Sequence, residues 1–146
     1  MMNEKPSSTA GFQPVGLLAR AELLEHAKHP RNRGALETAD MVSEEANPLC
    51  GDVVTVYAAL DSGADHRSRI TRLSFTGHGC LISQAAASML TEYVVGKSVE
   101  EFLRMGRGDM ERLLGGVLSP SRVKCAMLPL LAVRNGLARF SHAVHP

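Results

Sequence analysis

The sequence predicts a mixed helix and strand domain. Three observations predict it: an amphipathic stretch early in the chain, three successive strand-like runs, and a remainder patterned as helices broken by Gly and Pro. With 146 residues and 45% apolar content, the chain can bury the core of one domain without disulfide staples. Residues 1–16 are rich in Ser, Pro and Gly and offer little to bury. They read as a flexible tail, and residues 17–146 as the domain.

The first element is a helix. Leu17, Ala21, Leu24 and Ala27 recur at steps of three and four, and His29-Pro30 stops the pattern. His29 to Gly34 is then a polar connector, whose Arg31 and Arg33 read either as a solvated turn or as a docking surface for an acidic partner. Strand candidates follow at residues 39–46, 53–60 and 70–76. Val53, Val54, Val56 and Tyr57 are β-branched or aromatic, while the third run sets Ile70, Arg72 and Ser74 on one face and Thr71, Leu73 and Phe75 on the other. The second and third runs are expected to form a hairpin across the polar turn at residues 61–69.

Gly77-His78-Gly79-Cys80 ends the third strand, and residues 81–95 read as a helix closed by Gly96. Ser98 with Glu101 has the spacing of a capping box and opens a short helix to about Met105. Another short helical piece is expected over residues 109–114. Gly115-Gly116 breaks the pattern, after which Pro120 occupies the first turn of a last helix capped by Ser119. Pro129 lies within that helix, which predicts a bend just after Cys125.

Composition limits the function classes. Near-equal acidic and basic totals leave a net charge of +1, which gives no broad case for binding nucleic acid or an anionic membrane. No apolar run approaches the roughly 18 residues of a spanning helix, and the start of the chain lacks the apolar core of a secretory signal. Three cysteines cannot all pair internally, so a soluble, cytoplasmic protein in a reducing compartment is expected.

Those cysteines carry the chemistry. Cys50 and Asp52 are one residue apart, and in an extended segment they would share a face. Gly51 between them permits a tight turn or close approach to an ion. Cys80 falls at a helix N-terminus, where unpaired N–H groups and the dipole favour a thiolate. With Cys125 the set holds three sulfurs and one oxygen, enough for four-coordinate zinc or for three-sulfur ligation of an iron-sulfur cluster. The spacing contains no CxxC pair, and unpaired cysteines also serve as small buried hydrophobes, so the residues alone leave both readings open.

The stretches Asn47-Pro48-Leu49-Cys50-Gly51-Asp52, Gly77-His78-Gly79-Cys80-Leu81-Ile82-Ser83, Gly96-Lys97 and Ser121-Arg122-Val123-Lys124-Cys125-Ala126 resemble the iron-sulfur cluster assembly scaffold family. That family comprises IscU, SufU and the N-terminal domain of NifU, and the resemblance runs in order from about Leu17 to Phe140. It implies an α+β fold: a small antiparallel three-stranded sheet with helices packed on it and a metal site at one end. It also implies that Cys50, Asp52, Cys80 and Cys125 hold zinc or a [2Fe-2S] cluster. The partners it implies are a cysteine desulfurase of the SufS kind and apo iron-sulfur proteins. The role is that of a scaffold or carrier rather than an enzyme in the ordinary sense.

Lys124 places the chain nearer the SufU branch, because the IscU pattern has a histidine immediately before its third cysteine. An ammonium has no lone pair to give a metal, so Lys124 is expected either to lower the pKa of Cys125 or to face solvent. Leu118-Ser119-Pro120-Ser121-Arg122 departs from the Leu-Pro-Pro-Val-Lys chaperone site of IscU members, while the short interval from Cys80 to Cys125 lacks an insertion of the SufU kind. Cys50, beside a glycine on a loop, is the expected sulfur acceptor. His78 is a loop residue or a substitute ligand, and His142 and His145 are given no role. The alternatives are a zinc-dependent persulfide acceptor without a stable cluster, a structural zinc interaction domain, and a cysteine hydrolase using His78 as base.

Overall fold

The computed structural model describes residues 17–61 and 67–144, with side chains over 20–61 and 67–140. The expected tail at 1–16, the tip of the polar turn at 62–66 and His145 lie outside the described residues. The fold is α+β. Its elements are α1 (Leu17–Lys28), β1 (Met41–Asn47), β2 (Asp52–Leu60), β3 (Ile70–His78), α2 (Leu81–Val94), α3 (Val99–Leu103), α4 (Arg107–Leu114) and α5 (Pro120–Val144).

The three strands form one antiparallel sheet in the order β1-β2-β3. Alternation along β2 decides its faces: Val54, Val56 and Ala58 are buried, while Val53, Thr55 and Tyr57 are half-buried. Leu73 and Phe75 of β3 join the buried face. Beyond them the register slips, with Ala59 opposite Arg72 and Leu60 opposite Ile70, so Thr71 is an extra residue. This irregularity turns Ile70 into the core as well, and the expected Ile70, Arg72, Ser74 face is therefore split.

Helices cover one side of the sheet. α5 lies against β1, β2 and α2; α2 packs on β3, and α1 packs on α2. The small residues Ala85, Ala86, Ala87 and Ser88 let α2 sit deep between these layers. The buried face of α1 differs from the expected one. Leu23 and His26 point inward, while Leu24 is 40% exposed. Apolar periodicity missed this because the second inward residue is polar, its Nδ1 lying 2.7 Å from the buried Ser88 hydroxyl. Arg33 is neither a free turn residue nor an open docking group: it donates to Gln84 Oε1 and to the Gly77 carbonyl, and stacks over Phe75.

Ser98 and Glu101 form the expected capping box on α3. α4 starts two residues earlier than expected, because Asp109 accepts a hydrogen bond from the Gly106 amide at 2.8 Å and so closes the first turn from within. Ser119 supplies its carbonyl to Val123 N–H, while its hydroxyl reaches Ser121 instead of capping the backbone. α5 continues through Pro129 as one element. A proline there costs about 3 kcal/mol, which burial of Leu128, Leu130, Val133 and Leu137 outweighs at about 1.5–3 kcal/mol each. Among the described residues, no helix is long and apolar enough to cross a membrane.

Candidate metal centre

The β1–β2 hairpin builds one side of the site. Asn47 pairs with Asp52, leaving Pro48 to Gly51 as the connection. The Asn47 carbonyl accepts from the amides of Cys50 at 3.2 Å and Gly51 at 2.8 Å, and its Oδ1 accepts from Leu49 N–H at 3.1 Å. Gly51 closes the turn at φ 75°, a left-handed conformation that suits glycine. Cys50 is therefore a turn residue and not part of an extended segment. The turn still brings its sulfur near the Asp52 carboxylate, by curvature rather than by strand alternation.

The other side comes from two helices. Cys80 is the N-cap residue of α2, with extended backbone angles and no side-chain cap bond, so its thiol is left for other work. Its amide donates to Asp52 Oδ1 at 3.1 Å. Cys125 lies in the second turn of α5, 5% exposed, with its sulfur 3.9 Å from that of Cys50. Donor atoms of Cys50, Asp52 and Cys125 all fall within 4.8 Å of one another. The Cys80 thiol stands just outside that group, yet close enough to influence the ionisation of both Asp52 and Cys125.

Electrostatics separate the members. Burial by itself would push the Asp52 carboxyl up. The Cys80 thiol and amide, followed by the Ser83 hydroxyl and the Cys125 thiol, outweigh burial and hold it below the usual carboxylate range. The Cys125 thiol is pushed well above the ordinary thiol range, first by burial and then by the neighbouring sulfurs of Cys80 and Cys50. The expected lowering by Lys124 is thus not found; the exposed Lys124 lines a cleft with Cys50, Cys80, Cys125 and Arg122, of about 500 Å³. His78 ends β3 opposite Val53, exposed and outside the Cys50, Asp52, Cys125 group.

Two contributors escaped the sequence reading. A β-carbon on Gly79 would lie 2.5 Å from Ser83 Oγ and 2.7 Å from Asp52 Cγ, so only glycine allows the loop to pass over the carboxylate. Ser83 is 2% exposed and bonds back to the Cys80 carbonyl at 3.1 Å, fixing the turn that carries Cys80. The available signal was its position three residues after a helix-capping cysteine.

The residues fit a thiophilic cation. Asp52 Oδ2 is buried and has no hydrogen-bond partner, a costly arrangement for a carboxylate unless a cation completes it. Three thiols and one carboxylate match the donor preferences of zinc and of iron-sulfur clusters.

Similarity to known proteins follows the same line. The chain is 34% identical over 139 residues to the zinc-dependent sulfurtransferase SufU of Bacillus subtilis (strain 168), covering 84% of this chain and 90% of that protein. It is 32% identical over 145 residues to the iron-sulfur cluster assembly scaffold protein IscU of Streptococcus pyogenes serotype M1, covering 88% and 87%. Among solved structures, the SufU described as a SUF-system cluster assembly scaffold from Fervidobacterium islandicum AW-1 superposes with a TM-score of 0.66 at 30% identity, covering 80% of this chain and 93% of that one. A family model described as the NifU-like N-terminal domain matches residues 19–145, nearly the whole chain, and the chain belongs to that family.

Proposed function

We propose that this protein is a sulfur-accepting scaffold of iron-sulfur cluster assembly, which takes sulfur from a cysteine desulfurase and builds or passes on a [2Fe-2S] cluster to apo-proteins. One observation carries the reading. A buried carboxylate with an unpartnered oxygen stands beside sulfurs of graded exposure at the mouth of an open cleft. Names borne by relatives on both branches, scaffold and sulfurtransferase, support it.

Cys50, Asp52, Cys80 and Cys125 are the residues that would hold zinc, and the ion would supply the charge that keeps their thiols ionised. Cys50 is the acceptor in this reading, being the exposed sulfur of the set. As a thiolate it attacks the outer sulfur of a donor persulfide; a new S–S bond forms at Cys50, the donor S–S bond breaks, and the donor cysteine leaves as a thiolate. Arg122 and Lys124 line the same cleft, so an anionic sulfur approaching Cys50 meets positive charge. Asp52, an oxygen among sulfurs, tunes how firmly cargo is held.

A second reading, sulfur transfer on a zinc-holding site without a stable cluster, is favoured by Lys124 standing where a histidine would add a ligand. Metal analysis followed by anaerobic reconstitution with iron, sulfide and a desulfurase separates the two. A stable visible cluster supports the scaffold, and stimulation of the desulfurase with no cluster supports the second reading. If neither appears, a structural zinc domain is the better description. Within the scaffold reading, Asp52→Ala is expected to retain a reconstituted cluster longer than the parent, and faster loss would overturn the tuning role.

A further inference from the structure

β1 is an edge strand whose outer side carries no partner. Its hydrogen-bonding directions follow from those of β3, where Phe75 turns its N–H and C=O away from β2, to the Asn32 carbonyl at 3.1 Å and the Gly34 amide at 2.7 Å. These directions alternate along an antiparallel ladder, so Val56, the partner of Phe75, turns its own toward β1. The bond from Asp40 N–H to the carbonyl of Ala58, two residues on, agrees at 2.8 Å. Ser43 opposite Val56 and Glu45 opposite Val54 therefore bond inward, which leaves Val42, Glu44 and Ala46 with N–H and C=O directed out of the sheet. No backbone group of the described residues bonds to them there, and all three residues are exposed, Val42 by 55%.

The two faces of this edge differ. On the face away from the helices, Glu44 lies between Val42 and Ala46 and opposite Thr55, and among the described residues no cation pairs with it. On the helix face, α5 runs close over the first half of β1, where a β-carbon on Gly136 would lie 2.6 Å from Ser43 Cβ. Near the hairpin a groove of about 360 Å³ opens between Ala46 and Pro48 on one wall and Val123, Met127 and Leu131 on the other. Its walls come from β1, the hairpin and α5 and not from β2, so it opens beyond the β1 edge. A strand added to that edge points alternate side chains to the two faces. A residue opposite Glu44 meets the carboxylate, and its neighbour opposite Glu45 turns toward the apolar groove.

Charge selects the occupant. Two copies of this chain pairing antiparallel through all three outward residues set Glu44 opposite Glu44, and like charges directly opposite are destabilising. A lysine or arginine in that position is favourable, and backbone bonds joined to alternating side-chain pockets are how sheet edges recognise extended peptides. We propose that the β1 edge takes an extended, basic segment of a partner protein as a fourth strand, with a Lys or Arg facing Glu44 and an adjacent apolar residue in the β1–α5 groove. Asn47 and Lys124 line both this groove and the cleft of Cys50, so a partner docked here is held beside the sulfurs. The docking is read without sulfur or cluster, and it stands or falls apart from the function proposed above.

The test is an amide NMR titration of the zinc-loaded full chain with the peptide acetyl-Thr-Leu-Lys-Leu-Thr-amide, at physiological ionic strength. Saturable shifts are expected at Val42, Glu44 and Ala46, with slower hydrogen exchange of their amides. Replacing the peptide's Lys by Glu is expected to weaken binding several-fold, and Glu44→Lys to reverse that preference, while Glu100→Gln on α3 leaves it unchanged. Replacing both Leu by Ser is expected to weaken binding about tenfold through lost apolar burial. N-methylation of the Lys amide, which removes a strand hydrogen bond and keeps the charge, is expected to abolish protection of the three amides. Absence of saturable binding, equal binding of the Lys and Glu peptides, or undiminished binding of the N-methylated one overturns the proposal. Protection of these amides that grows with protein concentration before any peptide is added also overturns it, by assigning the edge to a second copy; folding of each variant is read from the same spectra.

Discussion

Cys50 and Cys125 lie 3.9 Å apart and come from opposite kinds of structure. Cys50 is exposed on a turn held by a few bonds to Asn47, whereas Cys125 is buried in a helix locked into the core. The difference teaches that proximity does not make two thiols equivalent. In the function proposed above, the exposed thiol would meet an incoming molecule and the buried one would anchor what it collects.

Substitution is the strongest way to break that contrast. Cys50→Ala is expected to reduce acceptance of labelled sulfur from a desulfurase to background, while Cys125→Ala still takes a first sulfur and then loses it quickly; the reverse pattern would exchange their roles. Gly79→Ala forces a methyl into the Asp52 and Ser83 contacts. It is expected to lower zinc affinity about 10–100-fold, the usual range for residues that orient metal ligands, as measured by competition with a chelator. In the metal-free chain, alkylation should reach Cys50 at least about tenfold faster than Cys125 at neutral pH, since each unit of raised thiol pKa removes tenfold of thiolate. Equal rates read by mass spectrometry would show that burial does not distinguish them.

Two smaller effects sharpen the same picture. The Asp52 carboxyl is held below its ordinary range in the folded chain, so the stability it contributes is complete above the unfolded carboxylate value and is lost as pH falls through the lower folded value. Denaturation of the metal-free protein is therefore expected to become easier below about pH 4. Asp52→Asn should flatten that decline, and the surface change Glu44→Gln should not. Ser98→Ala, remote from the sulfurs, is expected to cost about 0.5–2 kcal/mol through the lost α3 cap and to leave sulfur acceptance intact.

Much of this was legible in the sequence because it is local. The β-branched run of β2, the Ser98–Glu101 box and the placement of Cys80 at a helix start depend on neighbouring residues only, and the structure shows each of them. The inward turn of His26 could not be read, since it depends on a serine 62 positions later. The same holds for Gly79 and Ser83, whose importance comes from contact with Asp52 on another element. Pro129 stands inside α5 as expected, and the packing that offsets its local penalty is spread across the sheet and α2. Cys50 was placed near Asp52 by a rule for extended chains, although the chain there turns.

The two sulfurs that lie 3.9 Å apart are 75 positions apart along the chain. Anything that grips both closes a long loop, and in a polymer a closed loop of that length removes conformational freedom from the unfolded chain worth about 4 kcal/mol on the scale established for covalent cross-links. A ligand that binds only the folded form adds its own mass-action term. Handing over the cargo therefore releases a cross-link, and the carrier's resistance to unfolding becomes a record of whether it is loaded.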